Sequence, residues 1–138
     1  MSLEIKNLDK FEKMLVEKAT KELPRETKQI MRKMGSKART LTARNARSKV
    51  KKVTGSYHKS WKRGKLFFDG DKFVIRVYSG SRKAHLIEKG HRIVRNGREV
   101  GFVKGKNVLE ESMKEFEDRE MDQMLSDWLD NLLESGKL

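Results

Sequence analysis

Helical periodicity at both ends of the chain, with hairpin signals between them, predicts an α+β fold. Apolar residues recur at three- and four-residue steps over Leu8–Leu41 and again over Leu109–Leu132, the spacing of one helical face. Between these stretches, Asp69-Gly70 and Asn96-Gly97 each separate β-branched or aromatic runs, the strongest short-range hairpin signal. A length of 138 residues suits one domain. We read it as a helical region over 1–52, hairpins and a corner over 53–106, and a C-terminal helix over 107–136.

The first helix presents Leu8, Phe11, Met14, Leu15, Ala19 and Leu23 on one face. Pro24 breaks the pattern, because proline lacks an N–H and is tolerated in the first helical turn. The stripe resumes at Thr27, Ile30, Met34, Ala38 and Leu41. Gly35, about 1 kcal/mol worse than alanine inside a helix, predicts a close helix crossing or a bend there. From Arg44 to Lys52 apolar residues become scarce, which reads as a fraying helix end or a loop.

Thr54-Gly55-Ser56-Tyr57-His58-Lys59-Ser60-Trp61 reads as a tight turn at Gly55, with Ser56 capping a short helical turn. Tyr57 and Trp61 are then an aromatic anchor on the core. Alternatively they form a stacking platform for nucleic-acid bases, with Lys59, Lys62 and Arg63 on phosphates. Lys65–Phe68 and Lys72–Tyr78 flank Asp69-Gly70-Asp71 as a hairpin, its second strand half buried through Phe73, Ile75 and Val77.

Ala84-His85-Leu86-Ile87-Glu88-Lys89-Gly90-His91 fits a short helix ended by Gly90. In that reading Leu86 and Ile87 enter the core and Glu88 pairs with a cation. A second hairpin runs from Arg92 through the Asn96-Gly97 turn to Val103; its basic tip and small apolar content predict that it projects. Asn107, three residues before Glu110, reads as an N-cap of the capping-box kind. Leu109, Met113, Phe116, Met121, Met124, Leu125, Trp128 and Leu132 continue the last helix, and Gly136 ends it.

The corner holds two of the three histidines, His85 and His91, the side chains best suited to metal or acid–base chemistry. His85 and His91 are six residues apart, about 240° around a helix, which does not match a zinc-binding helix motif. No cysteine exists for a thiolate ligand, nucleophile or disulfide, and the chain fits a reducing compartment. No serine sits in a nucleophile elbow, and Gly101–Lys106 lacks the spacing of a phosphate loop. We therefore expect no enzyme and no cofactor; a nuclease would have only His58, His85 and His91 as bases. No apolar run reaches the roughly 20 residues of a membrane helix, and Met1–Glu4 does not open like a signal peptide, so a soluble protein inside a cell is expected.

Charge is the strongest compositional feature. The net charge is +13, yet residues 25–65 carry fifteen basic side chains against one acidic, and residues 109–138 carry three against ten. The hydrophobic fraction is only 36% and the charged fraction 38%. So thin a core with such asymmetry points to nucleic acid or to another copy's acidic end, as in a head-to-tail ring. No zinc finger, helix-turn-helix or RNP strand marks a specific reader. Non-specific DNA binding through residues 25–65 is the alternative reading, with Arg44, Arg47, Lys49, Lys51 and Lys52 facing DNA.

The order of these parts resembles the lambdoid gene-product-10 family of phage tail components. The matching features are the long N-terminal helical region, the Thr54-Gly55-x-x-x-x-Ser60 turn and a strand pair. They continue with the Ala84–Gly90 corner and an extended loop leading into the helix at Val108-Leu109. Tyr57 stands where the family has leucine, Lys89 where it has an apolar residue, and Asn107 where it has proline. The resemblance implies helices packed on a small antiparallel sheet, and a structural virion protein of a phage or prophage-derived particle. It implies a neck or tail-completion ring joining connector to tail, assembled in the bacterial cytoplasm. Partners would be further copies, connector or stopper, tail terminator and tube proteins, with no membrane. Gly55, Glu88 and Gly90 are expected as the structural corner. Arg92, Arg95, Asn96, Gly97, Arg98, Phe102 and Trp128 are expected at subunit interfaces.

Overall fold

The computed structural model describes residues 8–51, 55–69 and 72–138. Helix α1 (Lys10–Glu22) starts where the Asp9 carboxylate accepts the Glu12 N–H at 2.7 Å. Helix α2 (Pro24–Lys49) begins on the proline itself, with Leu23 as the joint. Thr27 stitches that joint, its hydroxyl donating to the Ala19 and Leu23 carbonyls at 3.0 and 2.9 Å.

Two expectations for these helices change. Phe11 and Met14 are exposed, and the face of α1 turned inward runs through Leu8, Val16 and Ala19. Helix α2 does not fray after Arg44: Ala43 and Ala46 are buried, and small residues there let the following turn and the last helix approach closely. Gly35 faces neither a helix crossing nor a bend. A Cβ there would lie 2.9 Å from the Ile75 side chain, so the glycine admits the strand region against α2.

Strands β1 (Trp61–Arg63), β2 (Phe67–Asp69), β3 (Lys72–Val74) and β4 (Val77–Ser79) form two antiparallel ladders, β1 with β4 and β2 with β3. The expected Asp-Gly hairpin is thus split. Its turn residues Gly70 and Asp71 lie outside the described residues, and its second strand breaks at Ile75-Arg76. The outer half then pairs with a strand at Trp61–Arg63, where a helical turn carrying Trp61 is expected from the sequence. Only three residues long and ending Lys-Arg, that strand carries too little alternation to be read as one.

Helix α3 (Ala84–Lys89) leads through Gly90 into β5 (Gly90–Arg95), which pairs antiparallel with β6 (Arg98–Lys104). Asn96 and Gly97 both have positive φ, 53° and 75°, as a type I′ turn requires. A register shift between Ile93 and Val94 bulges the ladder.

The last helix is continuous over 27 residues: α4 (Val108–Phe116), a π-helical turn (Glu117–Met121) and α5 (Asp122–Glu134). Phe116 and Met121 are both buried although five residues apart, a step that turns about 140° off-face in a regular α-helix. The π turn absorbs the extra residue and keeps both inside. Gly136 closes the helix with φ 75°; Lys137 N–H donates to Leu132 and Gly136 N–H to Leu133, a Schellman motif.

One core cluster joins α1, α2 and the last helix through Ile30, Met34, Leu41, Met113, Phe116 and Leu125. A second joins Ala43 and Ala46 to Tyr57, Trp61 and Val108, beneath the corner. No helix among the described residues is long and apolar enough to cross a membrane.

Candidate functional site

The corner is assembled from its glycines outward. Gly90 has φ 85°, and a Cβ on it would come within 3 Å of the Gly105 nitrogen and closer still to the Val103 carbonyl. Gly105 in turn lies against the Glu88 and Lys89 backbone, so the hairpin root passes α3 at backbone contact. Lys106 N–H donates to the Ile87 carbonyl at 2.7 Å and Asn107 N–H to the Glu88 carbonyl at 3.1 Å. Residues on both sides of the hairpin are thereby tied to one short helix.

Glu88 holds the last helix to this corner. Its two carboxylate oxygens accept the Leu109 and Glu110 N–H groups, each at 2.9 Å. These are orphan donors at the positive end of the helix dipole, where a carboxylate is favoured. Glu88 is therefore not a cation's partner, as the sequence suggested. Asn107 does not cap: it adopts a left-handed conformation, φ 48°, and its side chain makes no capping bond. Leu86 also departs from expectation, being exposed, whereas Ile87 packs against the second core cluster.

Gly55, φ 85°, opens the turn that carries Tyr57 and Trp61 inward. Their rings meet edge to face at 5.9 Å, and with 8% and 3% exposure they offer no surface on which a base could stack. The anchor reading stands and the stacking platform does not. Burial, and second the negative charge of Glu88, push the Tyr57 phenol up to about 12. His58 is buried, its Nε2 2.7 Å from the Val50 carbonyl, while His85 and His91 lie at the surface. No group of His, Cys, Asp or Glu among the described residues is placed to hold a metal ion.

The hairpin leaves the corner with little of its surface covered. Val94, Val100 and Phe102 are 55%, 58% and 60% exposed, and Arg92, Arg95, Asn96, Gly97 and Arg98 are exposed as well. Arg92 and Phe102 are register partners on one face; Arg95 and Arg98 oppose each other at the tip. Trp128, grouped with these residues from the sequence, instead packs partly buried against the first core cluster. Of the residues expected to face DNA, Arg44, Arg47 and Lys51 are exposed, Lys49 pairs with Glu111, and Lys52 lies outside the described residues.

Sequence reasoning missed the Glu88 cap, for which adjacent residues carry no signal. It also missed Asn45, whose amide donates at 3.0 Å to both Ser112 and Glu115 and locks α2 to α4.

The described residues form a helical body from which an exposed basic hairpin extends. The chain belongs to the HK97-gp10-like family, described as "Bacteriophage HK97-gp10, putative tail-component", whose model matches residues 5–90. The matched span covers α1, α2, the Gly55 turn, strands β1–β4 and α3, and stops at the hairpin root, before the last helix. No curated protein and no solved structure significantly matches the chain. The family is a structural phage tail component, not an enzyme.

Proposed function

We propose that this tail component is a ring subunit of the neck or tail-completion layer, joining the head connector to the tail of a phage or prophage-derived particle. The observation that carries this reading is the exposed β5–β6 hairpin, anchored by backbone contacts at Gly90 and Gly105 yet bare along its length. A two-stranded hairpin in water is marginal by itself, and exposed apolar side chains of this kind mark contact surfaces. The low apolar content of the chain supports the same reading, since copies that share surfaces complete what one core lacks. Other neck and tail proteins are the further partners.

Reversing Arg95 and Arg98 together to glutamate tests the role. Particle assembly should fall sharply while circular dichroism shows an unchanged monomer; normal particles from that variant would remove the hairpin from the account.

A second reading keeps one observation of its own. Arg44, Arg47 and Lys51 are exposed at the C-terminal end of α2 and just beyond it, with no carboxylate within ion-pair distance among the described residues. Non-specific DNA contact along this end predicts duplex binding that weakens steeply with salt. Gel shifts across a salt series decide it, and no binding near physiological salt eliminates it.

A further inference from the structure

We infer that the hairpin tip of one copy docks on the acidic outer stripe of α5 of the next, so that the subunits join head to tail. This rests on the ring reading above and names the two surfaces that make its junction.

The hairpin side is under-satisfied in a specific way. Arg95 and Arg98 are direct cross-strand partners, a like-charge pair that is unfavourable unless an anion comes between them. Neither has a carboxylate within ion-pair distance among the described residues; the only such hairpin contact is Arg92 to Glu99 at 4.0 Å. Val94, Val100 and Phe102 flank this tip and its shaft, exposed to water.

The complementary surface lies on the same chain. Asp127, Asp130 and Glu134 follow Gln123 at steps of four, three and four, which places all four along one exposed line of α5. No cation lies within ion-pair distance of these three carboxylates among the described residues; Asp127 accepts only the Gln123 amide, at 2.9 Å. Leu133, 42% exposed, borders the line and offers the apolar contact that Val94 and Phe102 lack.

The spacing matches. Asp127 and Asp130 are separated by three residues, a rise of about 4.5 Å. Paired residues across an antiparallel ladder are about 4.5–5.5 Å apart. One arginine per carboxylate is therefore sterically natural, with bidentate guanidinium–carboxylate geometry available to each. The rest of the chain is strongly basic, so its field directs an approaching basic hairpin toward the acidic helix and away from other faces. A nucleic-acid backbone would satisfy the arginines but leave the apolar flank wet. Because hairpin and stripe are different patches, the contact is heterologous and propagates from copy to copy until a ring closes.

Two variants test the junction: Arg95→Glu with Arg98→Glu, and Asp127→Lys with Asp130→Lys, each checked for fold by circular dichroism and followed by analytical ultracentrifugation. Wild-type chain should self-associate, and each variant alone should do so at least about ten-fold more weakly. An equimolar mixture of the two should assemble beyond a heterodimer, because the native hairpin and native stripe meet at one junction and the two charge-reversed surfaces meet at the next. The chain carrying all four substitutions should regain self-association through the reversed charges. A wild type that stays monomeric, a mixture that stays monomeric, or an Asp127→Lys/Asp130→Lys chain that assembles normally each overturns the proposal. Absence of wild-type chain from purified particles would instead remove the neck role while leaving a measured junction intact.

Discussion

Glu88 and the last helix meet through two hydrogen bonds, from the Leu109 and Glu110 N–H groups to its carboxylate, that span 21 and 22 residues of sequence. Glu88→Ala leaves both donors to water and should cost about 0.5–2 kcal/mol, the range for losing a helix cap. Hydrogen exchange at the Leu109 and Glu110 amides should accelerate in that variant more than exchange at the centre of α5. Gly90→Ala should be worse. Backbone strain at φ 85° alone costs roughly 1–3 kcal/mol, and the added methyl meets backbone atoms that have no room to give. Chemical denaturation of the two variants checks the ranking. At Tyr57 the raised phenol value sets a pH dependence: the unfolded phenol ionises near 10, the folded one near 12. Its contribution to stability is full below about pH 10 and is lost as pH rises through 12. Absorbance at the phenolate band should therefore contain a Tyr57 component near pH 12 that disappears in Tyr57→Phe. The corner was visible in the sequence as a glycine-ended motif, but the role of Glu88 was not, because its partners are amides rather than side chains.

At the scale of elements, apolar spacing revealed α1, α2 and the last helix, Gly90 marked the end of α3, and the Asn-Gly pair located the hairpin turn. What spacing did not reveal was which apolar residues turn inward. Phe11 and Met14 fit the stripe as well as Val16 does, and only the crossing of α1 against α2 and α5 separates them. The π turn is present in the sequence as the five-residue step from Phe116 to Met121, which differs by a single residue from a regular helical step. Glu120 sits in that turn, with one carboxylate oxygen buried and unpartnered among the described residues. Deleting Glu120 should convert the turn to regular α-helix, since Phe116 and Met121 would then be four residues apart on one face. The deletion variant should keep its helical content and its thermal midpoint, or raise the midpoint. A cooperative loss of structure would show that the π turn is required for the fold rather than accommodated by it.

For the whole molecule, the division into a basic middle and an acidic end was legible from charge alone, and the structure packs α2 of the first against the last helix of the second. The family match covers α1 through α3, while the hairpin and the acidic helix that we assign to assembly follow it. What the sequence lacked was any indication of which charges were already neutralised within the subunit. Lys49 and Glu111 satisfy each other, whereas Arg95, Arg98, Asp127 and Asp130 make no ion pair among the described residues. That distinction, more than net charge, selects the junction. The most direct measurement is an electron cryo-microscopy reconstruction of the purified parent particle. Our account predicts a closed ring of this chain at the head–tail joint, with each β5–β6 tip resting on the α5 of its neighbour. Density placing the chain elsewhere in the tail, or hairpins directed into solvent between subunits, would contradict it.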